Sequence, residues 1–119
     1  MFSDWTNTSS HVKRSFGALG KAHPKMLAAY QSLGAAAAEG NALDAKTREL
    51  ISLAVAVTTR CDGCISVHAQ AAVANGATEA EVAQALATAI ALNAGAAYVY
   101  SLHALEAVQA FEPSDAAQG

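Results

Sequence analysis

The chain has 119 residues, enough for one domain with a modest core. Hydrophobic residues make up 53% of it and charged residues 14%, with a net charge of −3. No Lys or Arg follows Arg60, which argues against a basic groove for nucleic acid. So small and apolar a chain cannot hide all of its hydrophobic surface, and we expect part of it to lie in a homo-oligomer interface.

The abundance of alanine and the scarcity of proline predict an all-α fold. A first helix is predicted from Ser9 or Ser10 to Leu19, and a second from His23-Pro24 to about Ala38, with proline at its first position. Asp44 is a good N-cap for a third helix over 45–58. The apolar run 50–57 inside that helix is also compatible with a buried strand.

Two further helices complete the predicted fold. The fourth is expected to begin at Cys61 and to end at Asn75-Gly76, where the glycine takes the left-handed closing position. The segment from Thr78 to Glu81 is a capping box for a fifth helix that continues to about Phe111. A helix of about 32 residues is long for a globular protein, so we expect a break or bend near residues 93–95.

Residues 82–102 are uncharged and long enough to span a bilayer. They are nevertheless rich in alanine and lack flanking Lys or Arg anchors, so we expect no membrane span. The polar amino terminus does not read as a signal peptide, which favours a cytoplasmic protein.

Both cysteines stand at the start of the predicted fourth helix, in the sequence Cys61-Asp62-Gly63-Cys64, and His68 follows four residues after the second. A closely spaced pair at a helix N-terminus is more typical of redox chemistry than of structure, because the helix dipole favours the reactive thiolate. Positions 61, 64 and 68 share one helical face. His68 can therefore act as general base for Cys64, and Cys61 can close a disulfide.

Glu49 is placed at a matching level on the preceding helix. If the third and fourth helices form an antiparallel pair turning near Arg60, Glu49 lies about 15 Å from the turn and His68 roughly 12 Å from it. A carboxylate there can orient the imidazole and stabilise its protonated form, as the third member of a nucleophile, base and orienting set. These considerations predict four catalytic residues, Cys64, Cys61, His68 and Glu49.

The spacing of these four residues resembles the core motif of the alkylhydroperoxidase D-like branch of the carboxymuconolactone decarboxylase family. The resemblance covers about residues 20–110 of a single domain spanning 1–119, and includes the flanking segments TRELI at 47–51 and NGATE at 75–79. It implies a helical fold assembled as a trimer or hexamer. It also implies reduction of hydroperoxides by thiols, without haem, flavin or metal.

The resemblance assigns a role to each residue of the motif. Cys64 would react with the peroxide, Cys61 would resolve the sulfenic acid, and His68 with Glu49 would relay protons. An external dithiol or a thiol protein would then reduce the disulfide. The best-known peroxidase of the branch has a further histidine between its cysteines, where this chain has Gly63. Decarboxylases of the wider family generally lack the pair, so decarboxylation is not the expected activity.

The residues alone leave other interpretations of the pair open. It could serve a general thiol–disulfide oxidoreductase, or a non-enzymatic module that senses redox state. It could bind zinc, which would need a fourth ligand such as His103 or a group from another subunit. Two inert cysteines buried in the core are a further alternative.

Overall fold

The computed structural model describes residues 2–113, and helices account for most of them. They are α1 (Trp5–Ala22), α2 (Pro24–Ala37), α3 (Ala45–Thr58), α4 (Asp62–Ala74) and α5 (Glu79–Phe111). The described residues contain no strand, and the apolar run 50–57 is helical. The all-α prediction is confirmed.

The third helix lies at the centre of the chain. It packs against α4 and against α5, while α1 packs against α4, and α2 contacts α1 alone among the described helices. The buried apolar side chains of the described residues lie on α3, α4 and α5 and are small or medium in size: Leu53, Ala56, Ala72 and Ala89. This arrangement places α4, with its cysteine pair, between α3 and α1.

The first helix begins earlier than predicted. Asp4 caps it by accepting a hydrogen bond from the Asn7 backbone N–H at 3.2 Å. The prediction of a serine cap was wrong because Ser9 points into the contact with α4. That serine is only 5% exposed, and its hydroxyl donates to the side chain of Gln70 at 2.9 Å.

The turn from α3 to α4 fixes the position of the cysteines. The Arg60 N–H donates to the Val57 carbonyl at 3.2 Å, and the Cys61 N–H donates to the Ala56 carbonyl at 3.1 Å. These two bonds define a Schellman motif, whose closing residue takes the left-handed conformation. Here that residue is Arg60, with φ of 54°. Cys61 thereby becomes the N-cap, and α4 begins one residue later than predicted.

The same motif ends α4, with glycine in the closing position. Gly76 has φ of 83° and donates to the Val73 carbonyl, while Ala77 donates to the Ala72 carbonyl, both at 3.0 Å. Glycine is the residue that adopts this conformation without steric cost. The predicted end of α4 is confirmed.

The fifth helix runs without interruption, so the predicted break near residues 93–95 is wrong. Its capping box is present: Glu81 N–H donates to the Thr78 hydroxyl at 3.1 Å, and Thr78 N–H donates to the Glu81 carboxylate at 3.0 Å. Inside the helix, Asn93 satisfies its amide on the Ala89 carbonyl at 2.7 Å. A glycine such as Gly95 costs about 1 kcal/mol relative to alanine, and it removes no backbone hydrogen bond.

In the described chain, no other helix buries the second half of α5. Every residue from Ile90 to Pro113 is exposed. By length and composition α5 has the properties of a membrane-crossing helix. One helix of this kind is weak evidence for a membrane, because apolar helices of soluble proteins share those properties.

Candidate active site

The cysteine pair is a disulfide spanning the first turn of α4. The Cα atoms of Cys61 and Cys64 lie 5.2 Å apart, within the range that a disulfide bridges. Cys61, as N-cap, also accepts the Cys64 N–H on its sulfur at 3.2 Å. From Asp62 onward the helix is regular. The pair therefore closes its bond at the helix end, without distorting the helix behind it.

His68 and Glu49 are in direct contact across the α3–α4 pair. The imidazole Nδ1 lies 2.7 Å from Glu49 Oε2, and the side chains are 37% and 22% exposed. An ionised carboxylate can only accept, so Nδ1–H is the donor in this hydrogen bond. The other ring nitrogen, Nε2, is then the one through which His68 can exchange a proton. The structure thus brings the predicted base and its orienting acid together.

Cys64 and His68 lie one turn apart on α4 and together line two separate clefts. The larger, which we call the α1 cleft, has a volume of about 410 Å³ and lies between α1, α2 and α4. Its remaining lining residues are Val12, Lys13, Phe16, Tyr30, Gly63 and Val67. The wall is mostly apolar, and the tilted aromatic pair of Phe16 and Tyr30, with ring centroids 5.5 Å apart, contributes to it.

The second cleft, the α3 cleft, reaches the same two residues from the other side of α4. Its volume is about 260 Å³, and the remaining residues are Ile51, Ser52, Val55, Ala56 and Thr59. Cys61 is not among the described residues that line these two clefts. Cys64 is therefore the sulfur that a molecule in either cleft meets.

Ser9, Lys13 and Gln70 form a polar cluster on α1 and α4 that was not predicted from the sequence, and Lys13 is the member that lines the α1 cleft. The amide oxygen of Gln70 accepts from the Ser9 hydroxyl at 2.9 Å and from the Lys13 ammonium at 3.0 Å. One sequence signal could have drawn attention to it. Between Asp4 and Glu39 the chain has four Lys or Arg residues and no acidic residue, although its net charge is negative.

The zinc interpretation requires further ligands beside the cysteine pair. In the part of the chain that the structure describes, no three His, Cys, Asp or Glu side chains gather in a way that could hold a metal ion. His103, the candidate fourth ligand, lies on the exposed half of α5, with its ring stacked on Tyr100 at a centroid distance of 4.5 Å. The inert-core interpretation fits poorly as well, since Cys64 is exposed.

Comparison with known proteins identifies the family. Residues 24–107 match the model of the carboxymuconolactone decarboxylase family. The chain belongs to this family. The match spans most of the chain and includes all four predicted site residues, and the resemblance seen in the motif is confirmed at the level of the family.

Several known proteins are similar to the chain. An uncharacterized protein of Haemophilus influenzae is 78% identical over 107 residues, which cover 90% of this chain and 95% of that protein. Another, from Cupriavidus necator, is 35% identical over 88% of this chain and 93% of that protein. The apo crystal structure of a carboxymuconolactone decarboxylase family protein from Legionella pneumophila aligns with a TM-score of 0.72 and 34% identity, over 93% of this chain and all of that one.

Proposed function

We propose that the protein is a cytoplasmic thiol peroxidase that reduces hydroperoxides with Cys64 and Cys61. The observation that supports this most directly is the meeting of two clefts at Cys64 and His68. A peroxide in either cleft would meet the sulfur next to the base. The hydrogen bond from His68 to Glu49 supports a proton relay, because it leaves Nε2 to serve the sulfur.

The first step oxidises Cys64. His68 Nε2 takes the thiol proton, and the thiolate attacks the terminal oxygen of the hydroperoxide. The O–O bond breaks, Cys64 becomes a sulfenic acid, and the alkoxide leaves as an alcohol after taking the proton back from His68. Glu49 stabilises the imidazolium while the proton resides there.

The second step forms the disulfide present in the structure. The Cys61 sulfur attacks Cys64, the S–O bond breaks, and water leaves. An external dithiol then opens the disulfide through a mixed disulfide and is itself oxidised, which returns both cysteines to thiols. In sum, one hydroperoxide and one dithiol give an alcohol, water and one external disulfide.

Mass spectrometry of the reduced protein tests the proposal. One equivalent of hydroperoxide should lower the mass by two hydrogen atoms, and a dithiol should reverse the change. Cys64→Ser should abolish the reaction. Cys61→Ser should leave Cys64 as a sulfenic acid or a higher oxide, because no resolving thiol remains. Excess peroxide that forms no disulfide would contradict the proposal.

Turnover separates a peroxidase from the alternatives. A redox sensor oxidises once, whereas an enzyme consumes many equivalents of peroxide in the presence of a dithiol. A general thiol–disulfide oxidoreductase would instead reduce small disulfides faster than it reduces peroxides. A coupled assay with several dithiols, run on the wild type and on Cys64→Ser, distinguishes these cases.

The working form is proposed to be a homo-oligomer, as the family resemblance implies. A compact chain of 119 residues has a radius of gyration of roughly 13–14 Å, whereas this one has 21.1 Å. Its accessible surface of 9235 Å² exceeds the area expected for a monomer of this size by about 3,000 Å². A standard interface buries about 800 Å² per partner, so the excess is large enough for contacts with other copies.

The exposed half of α5 is the part proposed to be covered by those copies. A glutamate at Ala96, which is exposed in the single chain, should split the assembly, because an unpaired charge buried in an interface costs several kcal/mol. Ala89 is unsuitable for this test because it is buried within the chain. Ala83→Glu, on the exposed side of the first turns of α5, is the matched control. A monomeric wild type in light scattering at micromolar concentration would contradict the proposal.

A further inference from the structure

Lys13 is the cation that lines the α1 cleft, and no ion pair among residues 2–113 neutralises its charge. Its hydrogen-bond acceptor is the Gln70 amide oxygen, a neutral group, at 3.0 Å. Neither of the two ion pairs among the described residues involves it. An ammonium has three N–H donors, and the bond to Gln70 uses one of them. The lysine is therefore held in place by a group that leaves its positive charge intact.

The Gln70 side chain that binds Lys13 is held in position by a second hydrogen bond. Gln70 accepts a second hydrogen bond from Ser9, whose side chain is buried between α1 and α4. Because one oxygen serves both donors, the position of Lys13 is tied to the contact between the two helices. This differs from an ordinary surface lysine, whose long side chain samples many rotamers.

The electrostatic setting of the cleft reinforces this local charge. The hairpin of α1 and α2, residues 5–37, carries four of the seven Lys and Arg residues of the chain and none of its ten acidic residues. Two walls of the α1 cleft come from this hairpin. Because this hairpin carries basic residues and no acidic ones, it raises the local concentration of anions near the cleft and repels cations.

The remaining surface of the cleft is suited to an apolar body. Val12, Phe16, Tyr30 and Val67 contribute hydrocarbon and aromatic surface, and Cys64 with His68 lies within the same cleft. The volume of about 410 Å³ falls in the range of small-molecule sites, roughly 300–1,000 Å³. The cleft thus combines an apolar surface, the sulfur of Cys64 and one cation that forms no ion pair with the described residues.

We infer that the α1 cleft binds amphipathic organic acids, and that Lys13 selects hydroperoxides that carry a carboxylate. This rests on the proposed peroxidase function. The carboxylate pairs with the Lys13 ammonium, and the apolar body lies between Phe16, Tyr30 and Val67. The hydroperoxide group reaches Cys64, which takes its terminal oxygen, and the acid leaves as the corresponding hydroxy acid. An external dithiol supplies the two electrons and is oxidised to its disulfide.

A matched pair of substrates tests the inference. A hydroperoxide of a medium- or long-chain fatty acid and its methyl ester share the same body and differ in the carboxylate charge. With a dithiol as reductant, kcat/KM should be about fivefold higher for the acid at low salt, as expected for one exposed ion pair. The ratio should fall toward one in roughly 1 M salt, because salt screens the pair.

Variants of the lysine assign the effect. Lys13→Met should bring the ratio of acid to ester to about one, with both rates measured on the same variant so that any general loss of turnover cancels. Lys13→Arg should keep the preference for the acid. Lys21→Met, on α1 but outside the lining of the cleft, should behave as the wild type. Equal rates for acid and ester in the wild type would overturn the inference and leave the peroxidase proposal intact.

A binding measurement keeps the inference testable if peroxide turnover is absent. Decanoate should slow the alkylation of Cys64 by iodoacetamide in the reduced protein, and decanol at the same concentration should slow it less. Lys13→Met should remove the difference between the two, and Lys21→Met should not. No difference in the wild type would overturn the inference. Protection by decanoate without peroxide turnover would support the binding site and contradict the proposed reaction.

Discussion

Gly63, between the two cysteines, lies directly beneath Val12 of α1. A Cβ atom at position 63 would be 3.0 Å from Cγ2 of Val12 and 3.8 Å from its Cγ1, and 3.0 Å is tighter than ordinary packing allows. The missing side chain thus lets α1 approach the cysteine turn. This gives a structural meaning to the departure from the best-known peroxidase of the branch, which has a histidine there.

A double-mutant cycle tests this contact. Gly63→Ala should destabilise the protein by up to about 2 kcal/mol, because overpacking costs about 1–3 kcal/mol and the higher helix propensity of alanine offsets about 1 kcal/mol of it. In the background of Val12→Ala the same change should cost clearly less, because the opposing methyl groups are gone. Urea unfolding at one protein concentration measures all four proteins. Equal costs in both backgrounds would show that Val12 does not set the limit at position 63.

Replacement of Glu49 by glutamine probes the relay. The change keeps the size of the side chain but removes the charge that supports a protonated His68, so peroxide reduction should fall roughly ten- to a hundredfold. Glu39→Gln, an exposed change just after α2, is the control and should keep the wild-type rate. If the folded Glu49→Gln protein turned over peroxide normally, the hydrogen bond to His68 would be structural only.

Substitutions at Arg60 and Gly76, which both have left-handed backbone conformations, should change the stability of the protein in opposite directions. A residue with a side chain pays roughly 1–2 kcal/mol to adopt this conformation. Glycine avoids that cost, but it raises the conformational entropy of the unfolded chain, which destabilises the fold by a somewhat smaller amount. Arg60→Gly should therefore stabilise the protein by up to about 1 kcal/mol. Gly76→Ala should destabilise it by a similar amount. Urea midpoints decide the matter, and a destabilised Arg60→Gly would indicate that the arginine side chain makes a compensating interaction.

The ion pair between Lys46 and Glu81 joins the starts of α3 and α5 at 2.8 Å. The Lys46 ammonium, followed by the Thr78 backbone N–H, lowers the pKa of Glu81 below its ordinary value of 4.5. The carboxylate in turn raises the pKa of Lys46 above 10.5. An acid whose pKa is lowered on folding stabilises the fold at pH values above its pKa in the unfolded chain. This stabilisation is lost as the pH falls through the pKa in the folded protein. A lysine whose pKa is raised on folding stabilises the fold below pH 10.5, and its contribution is lost as the pH rises through the pKa in the folded protein.

We therefore expect Glu81→Gln to lower the free energy of unfolding by a constant amount through the neutral range. The difference from the wild type should shrink as pH falls below 4.5, where the wild-type carboxyl is protonated as well. Denaturant unfolding between pH 3 and 8 measures this, and Lys46→Met should show the same trend. A difference that persisted undiminished at the lowest pH would mean that the charge of Glu81 is not its source.

The features that the sequence predicted well depend on local chemistry. Asp44 as a cap and the periodic run after it predict α3 with its observed ends, and counting residues from the turn placed Glu49 level with His68. What failed depends on the neighbours of a residue. Serine is a good N-cap residue, but the Ser9 hydroxyl instead donates a hydrogen bond to Gln70 of α4. Lys13 reaches Gln70 only because α1 packs against α4. The break expected near Gly95 did not occur because its flexibility does not outweigh the helix-forming alanines around it.

The shortness of the Cys61–Cys64 loop has a consequence for the energetics of the redox cycle. In the chain-entropy model a bridge closing a 15-residue loop contributes about 3 kcal/mol to stability, and a shorter loop contributes less. With a sequence separation of only three, the same model gives a contribution of roughly 2 kcal/mol. Reduction of the disulfide then removes only part of the roughly 5–15 kcal/mol by which native domains are stable, so that neither oxidation nor reduction commits the chain to unfolding.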